Sequence, residues 1–65
     1  MKVFNLAELT KEAIDKHFSK HGAMLIQTKT GTKYYILKAG DEFVCESYHC
    51  HNLRKMTKEM RAVFC

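Results

Sequence analysis

Three features of the chain predict an α+β domain with the element order α-β-β-β-α. The central stretch, residues 23–48, reads AMLIQTKTGTKYYILKAGDEFVCESY: three short strand-like runs broken by two glycine-bearing turns. The stretches before and after it each repeat apolar residues at helical spacing. The whole chain is only 65 residues, so residues 1–65 are read as one small domain with one core. A core of this size leaves a stability margin of about 3–5 kcal/mol, and self-association is a common way to add to it.

The N-terminal run Met1 to Phe4 is a short apolar lead, suited to a stub of strand or to a staple onto the first helix. Asn5 followed by Glu8 resembles a capping box, and Thr10 offers a second start. Leu6, Leu9, Ala13, Ile14 and Phe18 then form one apolar stripe. Gly22 ends it, since glycine accepts the positive φ of a helix C-terminus at little cost. The expected helix covers about 6–20.

For the meander, a two-residue turn at Thr30-Gly31 pairs Lys29 with Thr32, Gln27 with Tyr34 and Leu25 with Ile36. A turn at Gly40-Asp41 pairs Ala39 with Glu42, Leu37 with Val44 and Ile36 with Cys45. Successive side chains alternate between faces. In this register one face holds Met24, Ile26, Tyr35, Leu37 and Val44, and the other holds Leu25, Tyr34, Ile36, Phe43 and Cys45. Both are too apolar for a sheet with one wet side. Either a helix covers each face, or both helices pack on one and leave the other to a partner. In the second case the expected exposed patch is Tyr34, Ile36, Lys38 and Phe43.

Residues 49–52 form a link ending in Asn52, a good N-cap. Leu53, Met56, Met60, Val63 and Phe64 recur at helical spacing, so the second helix is expected over about 53–64. Arg54, Lys58 and Arg61 would line one flank of it, with Lys55 beside them. The net charge is +4, and residues 49–65 hold four cations against Glu59 alone. Such a stripe suits an acidic protein surface or a phosphate backbone. The plainer reading is the solvated flank of an amphipathic helix.

Composition narrows the classes further. Hydrophobic residues are 46% and charged residues 28%, the balance of a globular chain rather than a disordered one. No apolar run approaches the roughly 18 residues of a membrane span, and acids interrupt the N-terminus too early for a signal peptide. A cytoplasmic location and no membrane partner are therefore expected. Three cysteines, an odd number, fit a reducing compartment.

Cys45, His49, Cys50 and His51 are the only dense set of potential metal ligands. If residues 45–49 stay extended, Cys45 and His49 lie roughly 13 Å apart and cannot share an ion. His17 and His21 sit one helical turn apart without an evident third ligand. No Gly-rich phosphate loop and no nucleophile with a positioned base can be picked out. No metal site, cofactor or catalytic residue is expected.

The expected function is that of a small non-enzymatic binding protein. It would be a regulator or inhibitor working by protein–protein contact through an apolar sheet face and the basic C-terminal helix. Its expected binding residues are Arg54, Lys55, Lys58, Arg61, Tyr34, Lys38 and Phe43. The expected partner is a protein with an acidic surface, with a homodimer as a further candidate. The alternative is a DNA- or RNA-binding module using the basic stripe.

Overall fold

The computed structural model describes residues 2–65. The elements run β1 (Val3–Asn5), a 3-10 turn (Leu6–Glu8), α1 (Lys11–Phe18), β2 (Ala23–Gln27), β3 (Lys33–Ala39), β4 (Glu42–Ser47), β5 (Leu53–Arg54) and α2 (Lys58–Phe64). One sheet contains the strands in the order β1-β2-β3-β4-β5. β1 is parallel to β2, and every other pair is antiparallel. The domain is thus a small α+β fold with two helices, as expected. The sheet, however, is five-stranded and mixed where a three-stranded meander was predicted. The two extra strands come from the apolar lead, which pairs Phe4 with Ile26, and from residues assigned above to the second helix.

Both helices start later than predicted, and in each a threonine supplies the cap. α1 begins at Lys11 because Thr10 Oγ1 accepts the amide of Ala13 at 3.2 Å, while Asn5 makes no side-chain cap. Leu9 is extended between the 3-10 turn and the helix, so the expected helix over 6–20 breaks in two. α2 begins at Lys58, where Thr57 Oγ1 accepts the amide of Met60 at 3.3 Å. Leu53 and Arg54 join the sheet instead, opposite Glu46 and Cys45. Pairing there satisfies the outer edge of β4, which a helix starting at Asn52 would leave bare.

The first hairpin differs from expectation by one residue. Thr28 donates its amide to the Thr32 carbonyl at 2.8 Å, and Gly31 donates to the Thr28 carbonyl at 2.9 Å. Gly31 has φ +89°. This is a three-residue connection closed by a left-handed glycine, where a two-residue turn was expected. The extra residue shifts the ladder, so Gln27 faces Lys33, Ile26 faces Tyr34 and Met24 faces Ile36. The second hairpin keeps the expected register, with Leu37 opposite Val44 and Ile36 opposite Cys45. Its turn places Gly40 at φ +64° in the first central position, the glycine demand of a type II′ turn.

A one-residue slip moves a whole strand's side chains to the other face. Met24 and Ile26 therefore join Ile36 and Cys45, and all four are buried with Leu6, Ile14, Met60 and Phe64 in one cluster. That cluster draws on α1 and α2 together, so both helices cover the same side of the sheet. Phe43 lies between them, its ring 5.2 Å from that of Phe18 and 5.3 Å from that of Phe64.

Thr57→Ala should reduce the unfolding free energy by about 1 kcal/mol, the usual worth of a hydroxyl N-cap. Asn52→Ala, outside any helix, should change it by less than about 0.5 kcal/mol. Urea unfolding followed by circular dichroism compares the two; equal losses would return the helix start to Asn52.

Candidate functional site

On the side away from the helices, the register aligns Val3, Leu25, Tyr35, Glu46 and Leu53 across all five strands. A second row contains Ala23, Leu37 and Val44. Leu25 is only 4% exposed, yet it lies outside the helix-packed cluster. Tyr35, Leu37 and Val44 are half-buried. At the two edges Val3 is 37% exposed and Leu53 71%. The result is an apolar band with open ends, lying on a face that no helix covers.

The β4–β5 loop borders this band. Ser47 donates its amide to the Asn52 carbonyl at 2.9 Å, and His51 donates to the Ser47 carbonyl at 3.0 Å. His51 closes the loop at φ 56°, a left-handed conformation that histidine tolerates better than most side chains. Its ring stacks on Tyr35 with centroids 5.3 Å apart, and Tyr48 approaches the same ring at 5.5 Å. His51 Nδ1 lies 3.7 Å from Glu46 Oε1. Three aromatic rings and one carboxylate thus finish one end of the open face.

The predicted binding residues are distributed differently from expectation. Tyr34 packs against the core on the helix-covered side, and Phe43 is wedged between the helices. Ile36 is fully buried. The expected patch of Tyr34, Ile36, Lys38 and Phe43 is therefore on the clothed face, because the glycine turn exchanged the partners of β2. Lys38 is exposed, with its Nζ 5.7 Å from the centre of the Phe43 ring. Arg54 belongs to β5, Lys55 to the following link, and Lys58 and Arg61 to α2. All four are exposed, but they do not share one helical flank. Val3 and Leu53 were missed as surface residues. The clue available in the chain was a glycine three residues into Thr28–Gly31, which suits a bulged turn better than a two-residue one.

The sheet also separates the potential metal ligands. Cys45 is buried on the helix side, whereas His51 lies on the open side. Among the described residues no three His, Cys, Asp or Glu side chains converge on one point. His17 Nε2–H donates to the carbonyl of Ala23 at 2.6 Å, which ties the end of α1 to the start of β2. Its ring also meets Phe4 edge-on at 5.2 Å, a packing role.

No protein-family model matches the chain, and no curated protein or solved structure matches it either. The geometry alone bears on function.

Burial, and to a lesser extent the neighbouring Glu46 charge, raises the pKa of the Cys45 thiol. A thiol held protonated by the fold contributes fully below its unfolded pKa of about 8.5 and loses that contribution as pH rises through the higher folded value. Under native conditions a thiol reagent should modify Cys50 and Cys65, which are exposed, and reach Cys45 only on unfolding. Cys45→Val should also lose less stability than the parent chain between neutral and strongly alkaline pH. Three equally fast thiols would contradict the burial.

Proposed function

We propose that this chain is a non-enzymatic binding protein that acts, as a regulator or inhibitor does, by covering part of another protein. One observation carries the reading: both helices pack on one side, leaving Val3, Leu25, Tyr35, Leu37, Val44 and Leu53 on a face that carries no helix, with Val3 37% and Leu53 71% exposed at its edges. An uncovered apolar surface with a polar rim is the usual mark of an interaction site. The most exposed apolar side chain, Leu53, is followed directly by Arg54 and Lys55, both exposed. With a net charge of +4, that arrangement favours a partner whose apolar surface is bordered by acids. The charges would speed the encounter and fix its orientation, and the apolar band would supply most of the affinity.

Three free thiols, one of them buried, support work in a reducing compartment such as the cytoplasm. Among the described residues no helix is long and apolar enough to cross a membrane. Nucleic-acid binding through a single basic helical stripe loses its main support, since Arg54 and Lys55 precede the helix.

The test uses two substitutions at exposed positions, which leave the core untouched. A Val3→Glu, Leu53→Glu double variant should keep the parent's circular dichroism spectrum and melting temperature within a few degrees. It should lose at least about tenfold in affinity for a protein captured by the parent chain, since two apolar anchors become charges facing an acidic rim. Capture from host lysate is run with and without nuclease at two salt concentrations. Nuclease-sensitive capture, or capture indifferent to the double variant, would overturn the reading.

A further inference from the structure

A cleft of about 560 Å³ lies between the β2–β3 and β4–β5 loops, bordered by Lys33, Tyr34, Ser47, Tyr48, His49 and Arg54. The volume falls within the range of small-molecule sites, roughly 300–1,000 Å³. Three properties of its lining point to one ligand chemistry.

The first is charge. The lining includes a lysine, an arginine and a histidine but no carboxylate. Neither Lys33 nor Arg54 forms an ion pair among the described residues. Two unneutralised cations on one cleft favour an anion, and a guanidinium suits the oxygens of a phosphate with two parallel donors. The second is a set of neutral donors. The Thr32 hydroxyl and the His49 ring belong to the same lining and can give hydrogen bonds to the remaining oxygens of an anion. The third is shape. The cleft is much larger than one phosphate group, and Tyr34 and Tyr48 are among the residues that line it. Aromatic walls beside cations receive a flat organic group attached to the anion.

We infer that this cleft binds a nucleotide: a phosphomonoester held by Arg54, Lys33 and the Thr32 hydroxyl, with its base against the tyrosines of the lining. The ligand can be a free nucleoside monophosphate or the phosphorylated end of a single strand, which present the same chemistry. The cleft shares Arg54 with the basic rim of the protein-binding reading but no residue with the apolar band, so Val3→Glu and Arg54→Met separate the two readings.

Titration of the ¹⁵N-labelled chain with adenosine monophosphate, followed by amide chemical shifts, tests it. Saturable shifts should concentrate at Thr32, Lys33, Ser47, His49 and Arg54. Adenosine alone and inorganic phosphate alone should each bind at least about tenfold more weakly, because each offers half of the ligand. A 5′-phosphorylated dinucleotide, compared with the free monophosphate, separates the two sources by which binds more tightly. Arg54→Met should weaken binding by about tenfold or more. Thr32→Val should weaken it severalfold while leaving the melting temperature within a few degrees, since Thr32 is exposed. A Val3→Glu variant, on the far edge of the open face, should bind as the parent does. Shifts that never saturate, shifts spread evenly over the lysine-bearing surface, or Arg54→Met binding like the parent would each overturn the assignment.

Discussion

The conformation of Gly31 decides which side of this sheet meets water. With Gly31 left-handed and the connection one residue longer than the tightest turn, Met24 and Ile26 fall beside Ile36 and Cys45. Met24, Ile26, Ile36 and Cys45 then make a continuous buried patch across three strands. In the two-residue alternative the same side chains would divide between the faces, and neither face would offer the helices a uniformly large apolar floor. A register set by one turn thus fixes the composition of both faces at once. The hydroxyls of Thr28 and Thr30, 2.9 Å apart, add a local link across the connection.

Two competitions between capping residues shape the rest. In each helical stretch an asparagine comes first in the chain and a threonine later, and in each the threonine caps the helix. The outcome is not intrinsic preference, since asparagine is at least as good a cap. What differs is the alternative open to the residues between. Val3–Asn5 can pair with β2, and Leu53–Arg54 can pair with β4. Each pairing gives an otherwise bare sheet edge its hydrogen bonds. Tertiary pairing outweighs the propensity of a short helical turn, which is weak in isolation.

The legible and illegible parts of the structure divide along this line. The chain's apolar periodicity located both helices and the three central strands, and Gly40-Asp41 specified the second hairpin, register included. Local turn chemistry is written in the residues themselves there. The edge strands were harder to read: the apolar lead suited a strand stub or a helix staple, of which the first is observed, and the second edge strand has no strand-like pattern of its own. Leu53 fitted the repeat of Met56, Met60, Val63 and Phe64 by coincidence of spacing, and only the presence of β4 tells it otherwise. At the candidate sites, the imbalance between apolar sheet and available cover was visible in the composition of residues 23–48, but the identity of the open face depended on one residue of turn length. Arg54 and Tyr34 were both picked out, for different surfaces, and the fold brings them to one cleft.

The open face follows from the size of the helices. Five strands about 4.8 Å apart span about 19 Å across the sheet. Two helices about 10 Å in diameter, side by side, match that width, so both are used up in covering one face. Their length is a second shortfall. The helices have eight and seven residues, about 12 Å and 10 Å at 1.5 Å per residue, whereas β3 has seven residues and runs about 23 Å. The phenylalanines of α1 and α2 meet at Phe43, toward one end of the strands. The other end, where Tyr34 faces Ser47, is farther from that meeting point, and there Ile26 is buried beside Tyr34. The same capping outcome that widens the sheet at its edges therefore shortens the cover over it. The chain is left with one face that carries no helix, a consequence of the edge pairing that moves the helix starts to Thr10 and Thr57.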